Sequence, residues 1–139
     1  FPTQDPAVAA RMLARLLDKT ERHRDVIEAA QTASCDDAEI LVVAYGIPAR
    51  AARRAVKQAR QNGIKAGLFR PITLWPFPER AFLQAAAKAK RIVVAELNAG
   101  QLLLEIERIA GRERVSALAR FDGEHIAPDE ILGAITEAG

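Results

Sequence analysis

The chain has 139 residues, half of them hydrophobic and 27% charged, the balance of one globular domain able to bury roughly two-thirds of its unfolded surface. Twenty basic residues against eighteen acidic ones leave a formal net charge of +2, and aromatic residues make up 5%; the field is too weak to draw in nucleic acid and the aromatics too few for a base-stacking surface. One cysteine, Cys35, excludes an intrachain disulfide and a cysteine-built metal cage; with no signal-peptide pattern and no apolar run near the ~20 residues that span a bilayer, a reducing cytoplasm is expected.

In chain order, the first residue is Phe1 rather than Met, as expected of a piece processed or cut from a longer polypeptide. Asp5 to His23 reads as an amphipathic helix. Asp5 caps it and Pro6 fits its first turn, while Val8, Met12, Leu13, Leu16 and Leu17 recur at helical spacing opposite Arg11, Arg15, Lys19 and Arg22. Residues 1–24 are therefore a helix that packs on the body or an arm reaching a preceding domain, and residues 25–139 form the body. Val26 to Ala33 alternates weakly and is expected to be a short edge strand. Ile40 to Tyr45, a near-continuous apolar run, is expected to be the central strand, buried on both faces.

Gly46, Ile47 and Pro48 then open a helix through Gln61, with Ala52, Ala55, Val56 and Ala59 inward and five basic residues outward. Strand, glycine, helix is the turn of a parallel α/β unit, and helix amides there can face an anion. No GxGxxG or Walker pattern accompanies it, so the basic residues are read as a solvated face. Gly63 to Arg80 holds a strand expected to end near Arg70, where Pro71 removes a ladder donor. Next comes a loop, Ile72 to Phe77, too apolar for ordinary surface and too proline-rich for a helix or central strand. It must lie against something: the chain's own core, or a partner that meets Trp75 and Phe77 as stiffened anchors.

A short helix from Pro78 to about Lys88 follows, then a buried strand at Arg91–Ala95. Asn98 and Gln101 have the spacing of a capping box for a helix carrying Leu102, Leu103, Ile106 and Ile109. Glu96 stands at the carboxyl end of its strand, where α/β folds place ligands and partners. Val115 to Ala119 is a further strand and Asp129 to Ala138 a last helix. His23 is read as a solvated cation at the C-terminal end of the first helix, and His125, with no second histidine or cysteine nearby to make a metal site, as a loop residue.

Several motifs coincide: DDAEILVVAYG at 36–46, GIKAGLFRPITLWPFP at 63–78, VVAELNAGQ at 93–101 and APDEIL at 127–132. Together they resemble the C-terminal, transketolase C-terminal-like domain of the alpha subunit of 2-oxoacid:ferredoxin oxidoreductases, also called core domain II. The resemblance implies a single three-layer α/β/α domain over 1–139, with a mostly parallel sheet of about five strands and an antiparallel first strand at its edge. It implies a holoenzyme that oxidatively decarboxylates a 2-oxoacid to an acyl-CoA, using thiamine diphosphate, magnesium and iron–sulfur clusters held on other domains and subunits. Ferredoxin and CoA would be partners of that holoenzyme. One departure is Gly46-Ile47-Pro48, where the family often has a serine or threonine after the glycine.

No catalytic, cofactor-binding or metal-binding residue is assigned. The interface residues expected are Tyr45, Leu74, Trp75, Phe77, Glu96, Asn98 and Gln101, facing other alpha-subunit domains and the beta subunit, with no nucleic acid and no membrane as partner. A homodimer stays open. The alternative is a small-ligand, nucleotide or CoA module using the crevice beside Gly46 and Asn98.

Overall fold

Strand β2 (Ile40–Ala44), the most apolar run of the sequence, occupies the middle of the sheet and is buried at every position. The computed structural model describes residues 4–139. The sheet has five strands in the order β1-β3-β2-β4-β5, with β1 at Ala30–Ala33, β3 at Ala66–Pro71, β4 at Arg91–Glu96 and β5 at Val115–Ala119. Pairs β2–β3, β2–β4 and β4–β5 are parallel, and β1 is antiparallel to β3 at the edge. The mostly parallel sheet with an antiparallel edge strand implied by the resemblance is the one observed.

Side chains alternate across the sheet with period two and feed two cores. Ile40, Val42, Ala44, Leu68, Val93 and Ala95 face α3 (Gly46–Gln61) and α6 (Pro128–Ala138). The inward positions of α3 include Ala52, Ala55 and Ala59, whose small side chains let the helix lie close to the sheet. Leu41, Val43, Phe69, Ile92 and Val94 face α4 (Glu79–Ala85) and α5 (Gln101–Ala110). Here Phe69, Phe77 and Phe82 form an aromatic trio with ring centroids 5.4 to 6.1 Å apart, worth ~0.5–1.5 kcal/mol per pair beyond the area buried. Gly67 is needed for close approach: a Cβ there would lie 2.8 Å from the Ala38 Cβ and 2.9 Å from the Ser34 carbonyl oxygen.

Three sequence expectations change. The edge strand expected over Val26–Ala33 divides into a short helix, α2 (Arg24–Ile27), and the shorter β1. The ion pairs of Arg24 with Glu21 and Glu28, at i−3 and i+4, suit a helical turn. Pro71 is itself the last residue of β3, opposite Ala30 and one position past the expected end. The Ala29 carbonyl accepts from the Ile72 amide, so the 30/71 pair is a non-hydrogen-bonded one. The missing N–H of Pro71 therefore faces the other side, where β2 has already ended at Ala44. Helix α4 closes at Ala85, three residues short of expectation.

Helix α1 (Pro6–Arg22) forms as its sequence predicts, with the Asp5 carboxylate accepting from the amides of Ala7 and Val8. It buries no residue. Residues 1–3 of the arm assigned to 1–24 lie outside the described residues.

Candidate functional site

The sheet order places a topological switch point at the carboxyl ends of β2 and β4, because the connection through α3 runs to β3 on one side and α4 then returns the chain to the other. Such crevices are where open α/β sheets hold ligands. Four of the expected residues meet near this point. The Asn98 Nδ2 donates to the Tyr45 hydroxyl across 2.6 Å. The Asn98 Oδ1 accepts from the amides of Gly100 and Gln101, both at 3.2 Å, and the Gln101 side chain is exposed. Glu96 is fully buried, and its two carboxylate oxygens accept from the amides of Leu102 at 2.9 Å and Leu103 at 3.0 Å.

Glu96 is therefore a residue whose partners sequence reasoning missed. The amides of a helix start carry partial positive charge and need acceptors, and this carboxylate at the end of a buried strand supplies both. Asn98 covers the two preceding amides, so capping is shared between Glu96 and Asn98 in place of a reciprocal Asn98–Gln101 box. Glu96 is thereby corrected from interface residue to internal cap. With the first-turn donors of α5 already bonded, the Asn98 half of the small-ligand alternative loses the groups that would hold an anion. Gly46, at φ +59°, opens α3 with exposed Ile47 and buried Pro48 beside it, and Pro48 has no amide hydrogen to offer.

The loop of residues 72–78 joins β3 to α4 and separates into a fixed base and an open tip. The amides of Ile72 and Thr73 donate to the Ala29 carbonyl, and the Thr73 hydroxyl donates to the Ile27 carbonyl at 2.6 Å. Phe77 is 3% exposed, sealed into the aromatic trio. It is corrected from interface residue to core residue, since that ring has no surface left to share. Trp75 remains 75% exposed, with Ile72 and Leu74 open beside it and its bond to Pro76 cis.

A second apolar surface belongs to α1, whose Met12, Leu13, Leu16 and Leu17 are 58–69% exposed. Val26 and Ile27 of α2 are open as well. Exposed apolar groups this numerous exceed what scattered surface residues explain.

The donor set speaks to cofactors in its own way. Cys35 is half-buried with its thiol directed at the carbonyls of Ala33 and Leu68, and burial raises its pKa. Among the described residues no three His, Cys, Asp or Glu side chains converge as metal ligands. These residues do not fit an iron–sulfur cluster, which takes several thiolates.

Residues 38–131 match the family described as pyruvate:ferredoxin oxidoreductase core domain II. The 2-oxoglutarate synthase subunit KorA of Methanothermobacter marburgensis is 41% identical over 132 residues, 94% of this chain and 35% of the relative. The ketoisovalerate oxidoreductase subunit VorB of Methanothermobacter thermautotrophicus is 42% identical over 102 residues, 73% of this chain and 29% of the relative. The chain thus spans about a third of the length of these relatives.

Among solved structures, the 2-oxoglutarate:ferredoxin oxidoreductase of Magnetococcus marinus, with 2-oxoglutarate, coenzyme A and succinyl-CoA bound, superposes with a TM-score of 0.82 at 20% identity. The match covers 99% of this chain and 24% of that one. A transketolase variant from Pichia stipitis superposes with a TM-score of 0.61 at 15% identity, over 84% of this chain and 18% of that one. At these identities the two structures speak for the fold alone, the α/β architecture they share with this chain. The family match covers most of the chain, and with the mostly parallel sheet and its antiparallel edge strand it leads to one assignment: this chain belongs to the pyruvate:ferredoxin oxidoreductase core domain II family.

Proposed function

We propose that the chain is the catalytically silent assembly domain of a 2-oxoacid:ferredoxin oxidoreductase alpha subunit. The observation that carries this reading is Trp75, held open at the tip of a loop whose base is hydrogen-bonded to the α2–β1 junction and whose Phe77 is locked in the core. A large aromatic presented from a fixed base loses little conformational freedom on binding, which is what an interface anchor requires. Leu74 supplies apolar surround, and the open face of α1 gives a second contact to the preceding domain. Tyr45, Asn98 and Gln101 lie at the rim, where their mutual bonds keep the switch point in shape.

In this reading the partners are the other alpha-subunit domains and the beta subunit. Thiamine diphosphate, magnesium and the iron–sulfur clusters reside there, and the assembled enzyme, acting in the cytoplasm, engages ferredoxin and CoA. No described helix is long and apolar enough to cross a membrane.

The test is Trp75→Ala in the full-length alpha chain. Association with the beta subunit is expected to weaken by about tenfold or more, as for truncated aromatic anchors, while the melting temperature stays close to the parent's. Unchanged association with a large loss of thermal stability overturns the reading. So does turnover of a 2-oxoacid by the purified chain supplied with thiamine diphosphate, magnesium and an electron acceptor.

A further inference from the structure

The outer side of β1 is an unfilled place in the sheet. β1 is the first strand in the order, so only one of its sides is paired. In its ladder with β3, residue 29 bonds inward through its carbonyl to Ile72, and the two-residue alternation then directs Gln31 and Ala33 toward β3 and Ala30 and Thr32 outward. Outside the ladder, no backbone hydrogen bond among the described residues reaches Ala30 or Thr32. The strand sequence, Ala-Gln-Thr-Ala, carries none of the lysines, prolines or inward charges by which edge strands refuse a neighbour.

Hollows flank this edge on both faces of the sheet. On the α3 side, a groove of about 430 Å³ has Ala33, Val56 and Leu68 among its apolar lining and Arg53, Lys57 and Arg60 as its cationic wall. On the α4 side, a groove of about 600 Å³ is lined by Ala30, Thr32, Cys35, Gln84, Ala85 and Lys88 among others. An added strand would send alternate side chains into these two grooves.

The charge on the α3 side states what those side chains are. Arg60 is already committed, donating to the carbonyls of Ala66 and Ser34 and pairing with Asp37. Arg53 and Lys57 are exposed and have no ion pair among the described residues, and with Arg50 and Arg54 they crowd like charges at i, i+3 and i+4 along one helix face. The opposite edge differs. There Arg114 is bound to the carbonyls of Ala110 and Ala89, and Arg120 to Glu130.

We propose that, in the assembled oxidoreductase, the free edge of β1 receives an extended segment of a partner subunit as a sixth strand, with carboxylate side chains of that segment meeting Arg53 and Lys57. The inference rests on the assembly reading and names the chemistry of one contact within it. Backbone hydrogen bonds to Ala30 and Thr32 set the register, and the two cations select an acidic segment over a neutral one.

Hydrogen exchange on the assembled enzyme and on the free full-length alpha chain tests it. The amides of Ala30 and Thr32 are expected to exchange at least about tenfold more slowly in the assembly. The exposed double variant Arg53→Glu with Lys57→Glu is expected to return them to the free-chain rate. Gln31 and Ala33, facing β3, serve as internal controls that stay protected throughout. Equal exchange of Ala30 and Thr32 in the two states overturns the inference, as does protection that survives the double variant. Loss of association in Trp75→Ala beside an unprotected β1 would leave the assembly reading standing and this one refuted. A chain that joins no partner would refute both.

Discussion

Helices α1 and α3 are nearly equal in length, 17 and 16 residues, and both read from the sequence as amphipathic with a basic outer face. Their fates differ. α3 buries Pro48, Ala49, Ala52, Ala55, Val56 and Ala59 against the sheet, whereas α1 buries nothing. The residue sizes explain the difference in kind: the alanine-lined face of α3 fits the shallow profile of a sheet at close range, while the leucines and methionine of α1 suit a deeper groove between larger side chains. Amphipathicity thus says that a face will be covered, and residue size says by what sort of surface. Only the second separates the packed face of α3 from the open face of α1.

Placing the same charge on each apolar face breaks the comparison most sharply. Ala52→Asp, at a position with no exposure, buries an unpaired carboxylate and is expected to destabilise by more than ~4 kcal/mol, a large share of the ~5–15 kcal/mol that holds a typical domain folded. Leu16→Asp, on the open face, is expected to shift stability by no more than ~0.5 kcal/mol; urea titrations of both variants decide. A large loss in Leu16→Asp would mean that α1 belongs to the core after all.

The loop offers the same contrast over two residues. Phe77→Ala is expected to destabilise by ~3–5 kcal/mol through the cavity it opens in the aromatic trio, where Trp75→Ala leaves stability nearly untouched. Glu96→Ala comes next, at ~2–4 kcal/mol, because two helix amides lose their acceptors in a buried setting. Glu96→Gln keeps one acceptor oxygen and is expected to fall between parent and alanine variant; equal stability of all three would show that water replaces the cap.

Much of the body was legible because its signals are local. The run at Ile40–Ala44, the glycine at 46 and the alanine-spaced helix after it identify a buried parallel unit within about twenty residues, and β4 repeats the pattern. What the sequence hid depends on distance or direction. Glu96 meets amides six and seven positions downstream, outside the three-residue window of a capping box, although an acid at the end of a buried strand just before a helix was a usable sign. Trp75 lies open and Phe77 buried on a loop that Thr73 ties to Ile27, a contact 46 positions away. The place of Pro71 inside β3 follows from ladder parity with a partner strand that propensity barely marks. The open edge of β1 is likewise a property of strand order, which no single segment encodes.

The smallest effect concerns the amino-end rim of the sheet, where Glu39 takes Lys90 and Lys65 as partners and Asp37 takes Arg60. Hydrogen bonds to Lys90 and then Lys65 hold the Glu39 carboxyl below its ordinary value, and the guanidinium of Arg60 does the same for Asp37. A carboxyl whose folded pKa is depressed stabilises the fold fully above its unfolded pKa and loses that contribution as pH falls through the folded value. The window therefore opens near the unfolded carboxylate range, about pH 4, and extends downward. These groups are exposed, so screening keeps the contribution modest. Melting curves of parent and Glu39→Gln are expected to differ slightly at neutral pH, with the parent higher, and to converge as pH drops below that range. A gap independent of pH would assign the difference to packing rather than charge. Raising the salt at neutral pH should narrow the same gap, whereas the far larger gap between Ala52→Asp and Leu16→Asp, set by burial, should persist.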